Sequence, residues 1–273
     1  MSSVEPLRAM AQQMQSAIDE VRQIEPFTAR SNDFDLAAAY DVAQLMHEAR
    51  LAQGAVAVGR KIGFTNPDMW SQYGVGAPVW APLYDSSVRR VTGQRATCSI
   101  GRYAEPKIEP EIVFHFRSAP PVGGNLEQIL DSIDWVAHGF EIVQSHFAGW
   151  RFKAPDVVAD SALHATLLIG APQTLAQLGP DLVGALASFS LTLMCNDEVR
   201  EVGAGSNVLG SPLAAIAHLL GVLANQPQFA RLQGGEIVTT GTITTAHAIQ
   251  AGETWRSELA GIALPGLSVE FTR

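Results

Sequence analysis

The chain has little cysteine: Cys98 and Cys195 are its two, with no CxxC and no Cys/His cluster. Neither a disulfide framework nor a zinc-thiolate site is expected, and a reducing cytoplasm is the compartment this usage suits. Charge is scarce too, at 16% of residues, and basic charge scarcer: 18 Lys plus Arg against 27 Asp plus Glu gives a formal net of −9. A binder of phosphate backbones needs a basic face, so nucleic acid is not an expected partner. No run reaches the roughly 18 apolar residues of a membrane span, and the opening MSSVEPLRAMAQQMQ lacks a signal peptide's basic and apolar regions. No membrane association is expected. The most apolar stretch, Leu209 to Ala224, holds His218 and reads as a core helix, with Ser211 as N-cap and Pro212 at its first position.

What is present is enough for a substantial core: 273 residues, 47% of them apolar, suit one or two folded domains. Leu7, Met10, Met14, Ile18, Val21 and Ile24 recur at spacings of three and four, predicting a helix over 5–25 that Pro26 stops. Leu36, Tyr40, Ala43 and Met46 predict a second, capped by Asp33 or Asp35 and closed by Gly54. From Gly59 onward, short Val/Ile/Phe-rich runs separated by Gly, Pro and Asn read as strands. Helices are expected near 125–132, 175–186 (broken at Gly179-Pro180) and 211–225. The segments GGEIVTTGTIT and LPGLSVEFT read as closing strands with the Ala251-Gly252-Glu253 turn between them. The class is α+β, with a helical N-terminal part (1–57) and a β-rich catalytic domain (58–273).

Against so few charges, an acid in an apolar run needs an explanation, because a buried carboxylate is costly unless paired or metal-bound. In the strand-like Lys107-Ile108-Glu109-Pro110-Glu111-Ile112-Val113-Phe114-His115-Phe116, alternation puts Glu109 and Glu111 on one face, roughly 7 Å apart. Either both face solvent, or a cation offsets them; Pro110 suits an edge strand or bulge where such a site opens. Glu141 is the only acid in Trp135-Val136-Ala137-His138-Gly139-Phe140-Glu141-Ile142-Val143-Gln144. A helical HxxE reading would join His138 to Glu141, but in a strand the two point to opposite faces. Three glutamates without a convincing His or Cys ligand form an all-oxygen site suited to Mg2+ or Mn2+. Lys61, one of only three lysines, lies in Gly59-Arg60-Lys61-Ile62-Gly63-Phe64-Thr65. It is either a snorkelling side chain or an acid/base beside a metal-bound anion.

Taken together, GRKIGFT, the EPEI strand, the FEIV glutamate, ADSALH at 159–164 and the closing GEIVTTGT resemble the fumarylacetoacetate hydrolase superfamily. The similarity is to its 2-keto-4-pentenoate hydratase and 4-oxalocrotonate decarboxylase branch, extends over nearly the whole chain, and includes the Ala39-Tyr40-Asp41-Val42-Ala43-Gln44 helix. The resemblance implies a β-roll of curved mixed sheets with peripheral helices, and a divalent metal, Mg2+ or Mn2+, on Glu109, Glu111 and Glu141. It implies catalytic roles for Lys61 and Asp160, and substrate binding by Ser161, His164 and Thr242. Charges match: three carboxylates and a divalent ion leave −1, which Lys61 balances.

The activity implied is addition of water to a 2-hydroxy-2,4-dienoate, giving a 4-hydroxy-2-oxo acid in aromatic catabolism. The metal stabilises enolate charge while Lys61, its pKa lowered by burial and by the cation, moves protons. The alternatives are decarboxylation of a 2-oxo-3-enedioate, C–C hydrolysis of an acylpyruvate with His47-Glu48 as the base pair, and a non-catalytic companion subunit. A homo-oligomer, or association with a related decarboxylase or hydratase, is implied as well. The chain departs from the branch at Val79, where an acid follows Pro78 in the Gly74-Val75-Gly76-Ala77-Pro78 motif, and at Ser161 (for Asn), Leu163 (for Ser) and Gln144 (for Asp). These departures bear on the reaction rather than the fold. Arg102, Arg151 and Lys153 are candidates for a second substrate carboxylate. His115, His146, His218 and His247 are expected to be structural.

Overall fold

The computed structural model describes residues 4–73 and 75–273; Gly74, the first residue of the GVGAP motif, lies outside them, as do Met1 to Ser3. The first apolar stripe forms α1 (Val4–Asp19), shorter than its periodicity predicts. Val21 takes a left-handed φ of 53° and the Arg22 N–H reaches back to the Ala17 carbonyl at 2.8 Å, a turn that ends a helix without glycine. Ile24 is buried as expected, but through a strand-like contact of its N–H with the His146 carbonyl. After α2 (Phe27–Arg30) comes α3 (Leu36–Ala52), whose first turn is capped by the Asp35 carboxylate on the Ala38 N–H at 2.9 Å. Met14, Ala17, Phe27, Tyr40 and Met46 from these helices join one contiguous core with the strands that follow.

Among the described residues, fourteen strands form two sheets. In chain order they are β1 (Ala57–Gly63), β2 (Val79–Tyr84), β3 (Val88–Arg90), β4 (Arg95–Ser99), β5 (Lys107–Phe116), β6 (Ile133–Val143) and β7 (His164–Ile169). Then come β8 (Gln173–Thr174), β9 (Ser190–Cys195), β10 (Glu198–Ala204), β11 (Ile237–Thr239), β12 (His247–Ala248), β13 (Thr254–Ala260) and β14 (Ser268–Thr272). The larger sheet runs β2-β1-β11-β5-β6-β7-β3, with β12 on β5 and β8 on β6; the smaller runs β10-β9-β13-β14-β4. Mixed parallel and antiparallel pairing, with β1 parallel to β11 and β14 parallel to β4, gives the α+β class and curved roll that the sequence led us to expect.

The chain places GGEIVTTGTIT and LPGLSVEFT in different sheets: β11 lies between β1 and β5, whereas β14 pairs with β13. The turn at Gly252 leads from β12 into β13, a strand the sequence reading passed over. The remaining helices are short, apart from α4 (Pro212–Ala224), which Ser211 caps. The stretch Gly205–Ala224 is long and apolar enough to cross a membrane by length and composition alone. Here Leu213, Ile216, Leu219, Leu220 and Leu223 are buried in the fold, so it is a core helix.

Candidate metal and substrate site

Long strands β5 and β6 pair antiparallel with Glu109 directly opposite Glu141 and Glu111 opposite Gly139. Directly opposed residues in such a pair share a face, so the register itself gathers the three carboxylates, whose nearest oxygens lie within 4.8 Å of one another. Glu111 and Glu141 are fully buried and Glu109 is partly exposed. His138, one step out of phase, faces the other way: its Nδ1 meets the Glu111 carbonyl at 3.0 Å and its Nε2 meets Ser257 Oγ at 2.7 Å.

Each buried glutamate is held by a different element. Glu111 Oε2 accepts the Thr239 hydroxyl and, at 2.8 Å, the Gly241 N–H just beyond β11. Gly241 has φ +94°, and a Cβ there would lie 1.9 Å from Thr65 Oγ1, so this backbone reaches Glu111 only because the residue is glycine. Glu141 Oε2 stands 2.9 Å from Lys61 Nζ, delivered by β1, and Glu141 Oε1 is 2.6 Å from His164 Nδ1 at the start of β7. A carboxylate only accepts, which assigns the proton to Nδ1; His164 Nε2 lies 2.9 Å from Ser87 Oγ.

Burial and crowding pull the three acids apart. Burial, reinforced by Glu141, pushes Glu109 up to about 7 against the pull of Lys61. Burial and the two neighbouring carboxylates push Glu111 well above the usual range. Burial would raise Glu141 too, but Lys61 and the His164 hydrogen bond outweigh it and hold it near 2. Burial lowers Lys61, yet the charges of Glu141, Glu109 and Glu111 prevail and raise it above its ordinary value. Its metal-free behaviour is thus opposite to the expectation from burial. The cluster has the marks of a cation site: Glu111 Oε1 is buried without a hydrogen-bond partner, and two of the three acids resist ionisation for want of positive charge. The residues present therefore fit an oxygen-ligated divalent ion.

Beside the cluster lies a cavity of about 60 Å³. Its polar lining includes Lys61, Glu109, Thr65 and Thr242; the Oγ1 atoms of Thr65 and Thr242 are buried and unpartnered. Its apolar lining includes Phe64, Val143, Trp150, Phe152 and Leu163.

Of the residues singled out in the sequence, Lys61, Glu109, Glu111, Glu141, Thr242 and His164 are thus brought together. Asp160 and Ser161 stand outside the cavity lining. Both Asp160 oxygens are taken by His146, Oδ1 by the ring at 2.7 Å and Oδ2 by the backbone N–H at 3.0 Å, and burial raises Asp160. The pair anchors the turn Ser161-Ala162-Leu163, three successive non-glycine residues at φ 51°, 50° and 66°, which carries Ala162 and Leu163 into the cavity wall. His164 has both ring nitrogens engaged, so it faces Glu141 and Ser87 rather than a substrate.

Val79 is buried in β2 opposite Gly63, and Gln144 accepts the Ala104 N–H. His47 bonds the Tyr84 hydroxyl at 2.8 Å, away from the cavity, which leaves the acylpyruvate hydrolase reading without its base. Arg102, Arg151 and Lys153 are exposed and none lines the cavity. Thr65, Thr239 and Ser87 were not singled out beforehand. Thr65 and Thr239 sit inside the GRKIGFT and GEIVTTGT motifs, while Ser87 lies in a loop with no signal at all.

A family profile described as fumarylacetoacetate (FAA) hydrolase C-terminal matches residues 74–265. The chain is 28% identical over 256 residues to a 2-keto-4-pentenoate hydratase of Paraburkholderia xenovorans (strain LB400), covering 92% of this chain and 90% of the relative. It is 30% identical over 249 residues to a 4-oxalocrotonate decarboxylase of Pseudomonas sp. (strain CF600), covering 90% and 89%. The solved 4-oxalocrotonate decarboxylase from Pseudomonas putida G7, complexed with magnesium and adipate, superimposes with a TM-score of 0.89 at 27% identity over 99% of both chains. With the profile spanning most of the sequence and the fold matching end to end, the chain belongs to the fumarylacetoacetate hydrolase family.

Proposed function

We propose that this protein is a divalent-metal-dependent lyase that hydrates a 2-hydroxy-2,4-dienoate of the 2-keto-4-pentenoate type, within aromatic catabolism. One observation carries the choice of substrate. Among the described residues, Lys61 is the only cation lining the cavity, and Phe64, Val143, Trp150, Phe152 and Leu163 make much of the remaining lining aromatic and aliphatic, which suits a substrate with one carboxylate and an unsaturated hydrocarbon tail.

Glu109, Glu111 and Glu141 would hold Mg2+ or Mn2+, which when bound supplies Lewis-acid charge that stabilises an enolate. Thr65 and Thr242 offer two buried hydroxyls for the substrate carboxylate. Lys61 is the proton carrier: a proton leaves the 2-hydroxyl and one is added at C5, giving the 2-oxo-3-enoate. Water oxygen then bonds C4 while a proton returns to C3. Trp150, Phe152 and Phe64 keep bulk water from this exchange. His164 orients Glu141, and Asp160 acts through the Ser161–Leu163 turn, as positioning residues. Both cysteines are buried and unpaired, in keeping with a reducing cytoplasm, and a homo-oligomer is part of the same reading.

A second reading, decarboxylation of a 2-oxo-3-enedioate, is favoured by Val79. Val79 is buried beside Gly63 of the lining where the branch has an acid, and among the described residues Glu109, a proposed metal ligand, is the only carboxylate on that lining, so none remains to activate water; loss of CO2 needs none. Incubation with Mg2+ and either 2-hydroxypenta-2,4-dienoate or 4-oxalocrotonate, followed by mass analysis, decides between them. Water gain on the first substrate supports hydration; CO2 loss from the second with no hydration replaces it; metal binding with neither product identifies a companion subunit.

A further inference from the structure

The Thr244–Ala246 segment of the cavity wall belongs to no regular element, yet it is fixed from the smaller sheet. Strand β10 carries a bulge between Val199 and Glu201, so that Val199 pairs with Met194 but Glu201 pairs with Leu193. The extra residue, Arg200, shifts the alternation: Val199 and Val202 are turned out to solvent, while Glu201 and Gly203 share the inward side. Gly203 lies so close to the segment that a Cβ there would fall 2.2 Å from the Ile243 carbonyl.

Glu201 is saturated by this segment. Its carboxylate takes the Thr245 N–H at 3.0 and 3.2 Å, the Thr245 hydroxyl at 2.6 Å and His247 Nε2 at 2.7 Å. On its other side the same strap is tied to the glutamate strand: the Ile243 N–H donates to the Pro110 carbonyl at 2.9 Å, and His247 pairs with Ile108 in β12–β5. One carboxylate outside the cavity therefore sets where Thr244, Thr245 and Ala246 stand relative to the metal glutamates. Bonds to a carboxylate are about twice as strong as those to a neutral acceptor, so removing it loosens the wall while the ties to Pro110 and Ile108 remain.

We propose that Glu201, together with His247, is a positioning residue that fixes this wall from the second sheet and so sets the affinity of the cavity for substrate. The inference rests on the cavity being the substrate site. The test is kinetics of Glu201→Ala, Glu201→Gln and Thr245→Val, with calorimetric binding of the unreactive analogue 2-oxopentanoate in Mg2+.

The expected result for Glu201→Ala is a KM raised about tenfold or more, with kcat held within about twofold, and comparably weaker analogue binding. Glu201→Gln, which still accepts from Thr245, should recover most of the loss, and Thr245→Val, which keeps the backbone bond, should fall between. Wild-type KM and analogue affinity in Glu201→Ala would overturn the proposal. So would a joint fall of kcat, Mg2+ affinity and melting temperature that Gln does not rescue, since Glu201 would then only hold the fold together. If the wild-type protein turns over neither substrate but Glu201→Ala still weakens analogue binding, the clamp stands and the proposed reaction falls.

Discussion

Lys61 Nζ and Glu141 Oε2 stand 2.9 Å apart, sealed from solvent, at the point where β1 and β6 deliver the only buried lysine among the described residues and the most acidic of the three site carboxylates. Breaking a buried pair from one side leaves an uncompensated charge, at a cost of about 3–5 kcal/mol. Lys61→Met should therefore destabilise the metal-free protein markedly and the Mg2+-loaded protein much less, because the ion compensates the same carboxylate. Turnover should fall by roughly 10²–10⁴, the range for loss of a positioned acid/base, while Mg2+ affinity should not fall and should rise by as much as the bound ion spares in stability. Denaturation with and without Mg2+, calorimetry and kcat measure the three; full activity would remove Lys61 from the chemistry.

How far the sequence carries this site depends on what a period of two can say. Parity alone puts Glu109 and Glu111 on one face, and the lone acid in the Phe140-Glu141-Ile142 run is visible as costly. The register that sets Glu109 against Glu141 is not, since β5 and β6 are joined through a long connection whose geometry no local pattern specifies. The same holds for β11 and β14: each reads as a strand, but only tertiary pairing sends them to different sheets. Val21 and the Ser161–Leu163 turn are illegible for another reason. Left-handed backbone is signalled by glycine or asparagine, and here Val, Ser, Ala and Leu adopt it because surrounding contacts hold them there. His164 is legible as a site residue through the ADSALH resemblance, but its partner Ser87 comes from a loop with no pattern, so its orienting role is not.

Metal binding should weaken in acid. Metal-free Glu109 sits up at about 7 and Glu111 well above its usual range, so at neutral pH the site holds protons that an incoming cation must displace. From the Glu109 value alone, apparent Mg2+ affinity should drop about tenfold between pH 8 and pH 6. Calorimetry in buffers of different ionisation enthalpy should show proton release on binding. The linked stability has the opposite sign. An acid whose folded pKa is raised above its unfolded value favours the fold at low pH, so these two groups should cost the metal-free protein stability as pH rises from about 4.5 through 7. The melting-temperature gain from saturating Mg2+ should widen over that window, and a constant gain would contradict the assignment.

His164 touches no cavity surface, yet its replacement should be felt at the metal. Its Nδ1–H orients Glu141 and helps hold it ionised, and outer partners of this kind are worth about 10–100-fold in metal affinity or activity. His164→Phe keeps the ring volume and removes both hydrogen bonds. Mn2+ titration followed by electron paramagnetic resonance should show a tenfold or greater loss of affinity, whereas Ser87→Ala, which removes only the outer contact, should lose less. Equal, wild-type affinity in both would mean that Glu141 needs no orientation.

Gly241 offers a way to separate close approach from backbone strain. It and Gly252 have nearly equal left-handed angles, φ +94° and +92°. A Cβ at Gly252 meets nothing within 4 Å, whereas one at Gly241 falls 1.9 Å from Thr65 Oγ1. Gly252→Ala should thus show the conformational cost alone, about 1–2 kcal/mol, with kcat/KM unchanged. Gly241→Ala carries that cost and a collision as well, and relief of the collision moves the N–H away from Glu111 or the Thr65 hydroxyl away from the cavity, or both. It should be the less stable variant by a further 1–3 kcal/mol or so. Its Mg2+ affinity or KM should worsen in proportion to which of the two contacts gives way. Chemical denaturation of both variants, set beside metal titration and steady-state kinetics, reads the difference. Equal stability and equal activity would mean that Thr65 moves aside freely, and that the grip of this turn on Glu111 does not depend on the missing side chain.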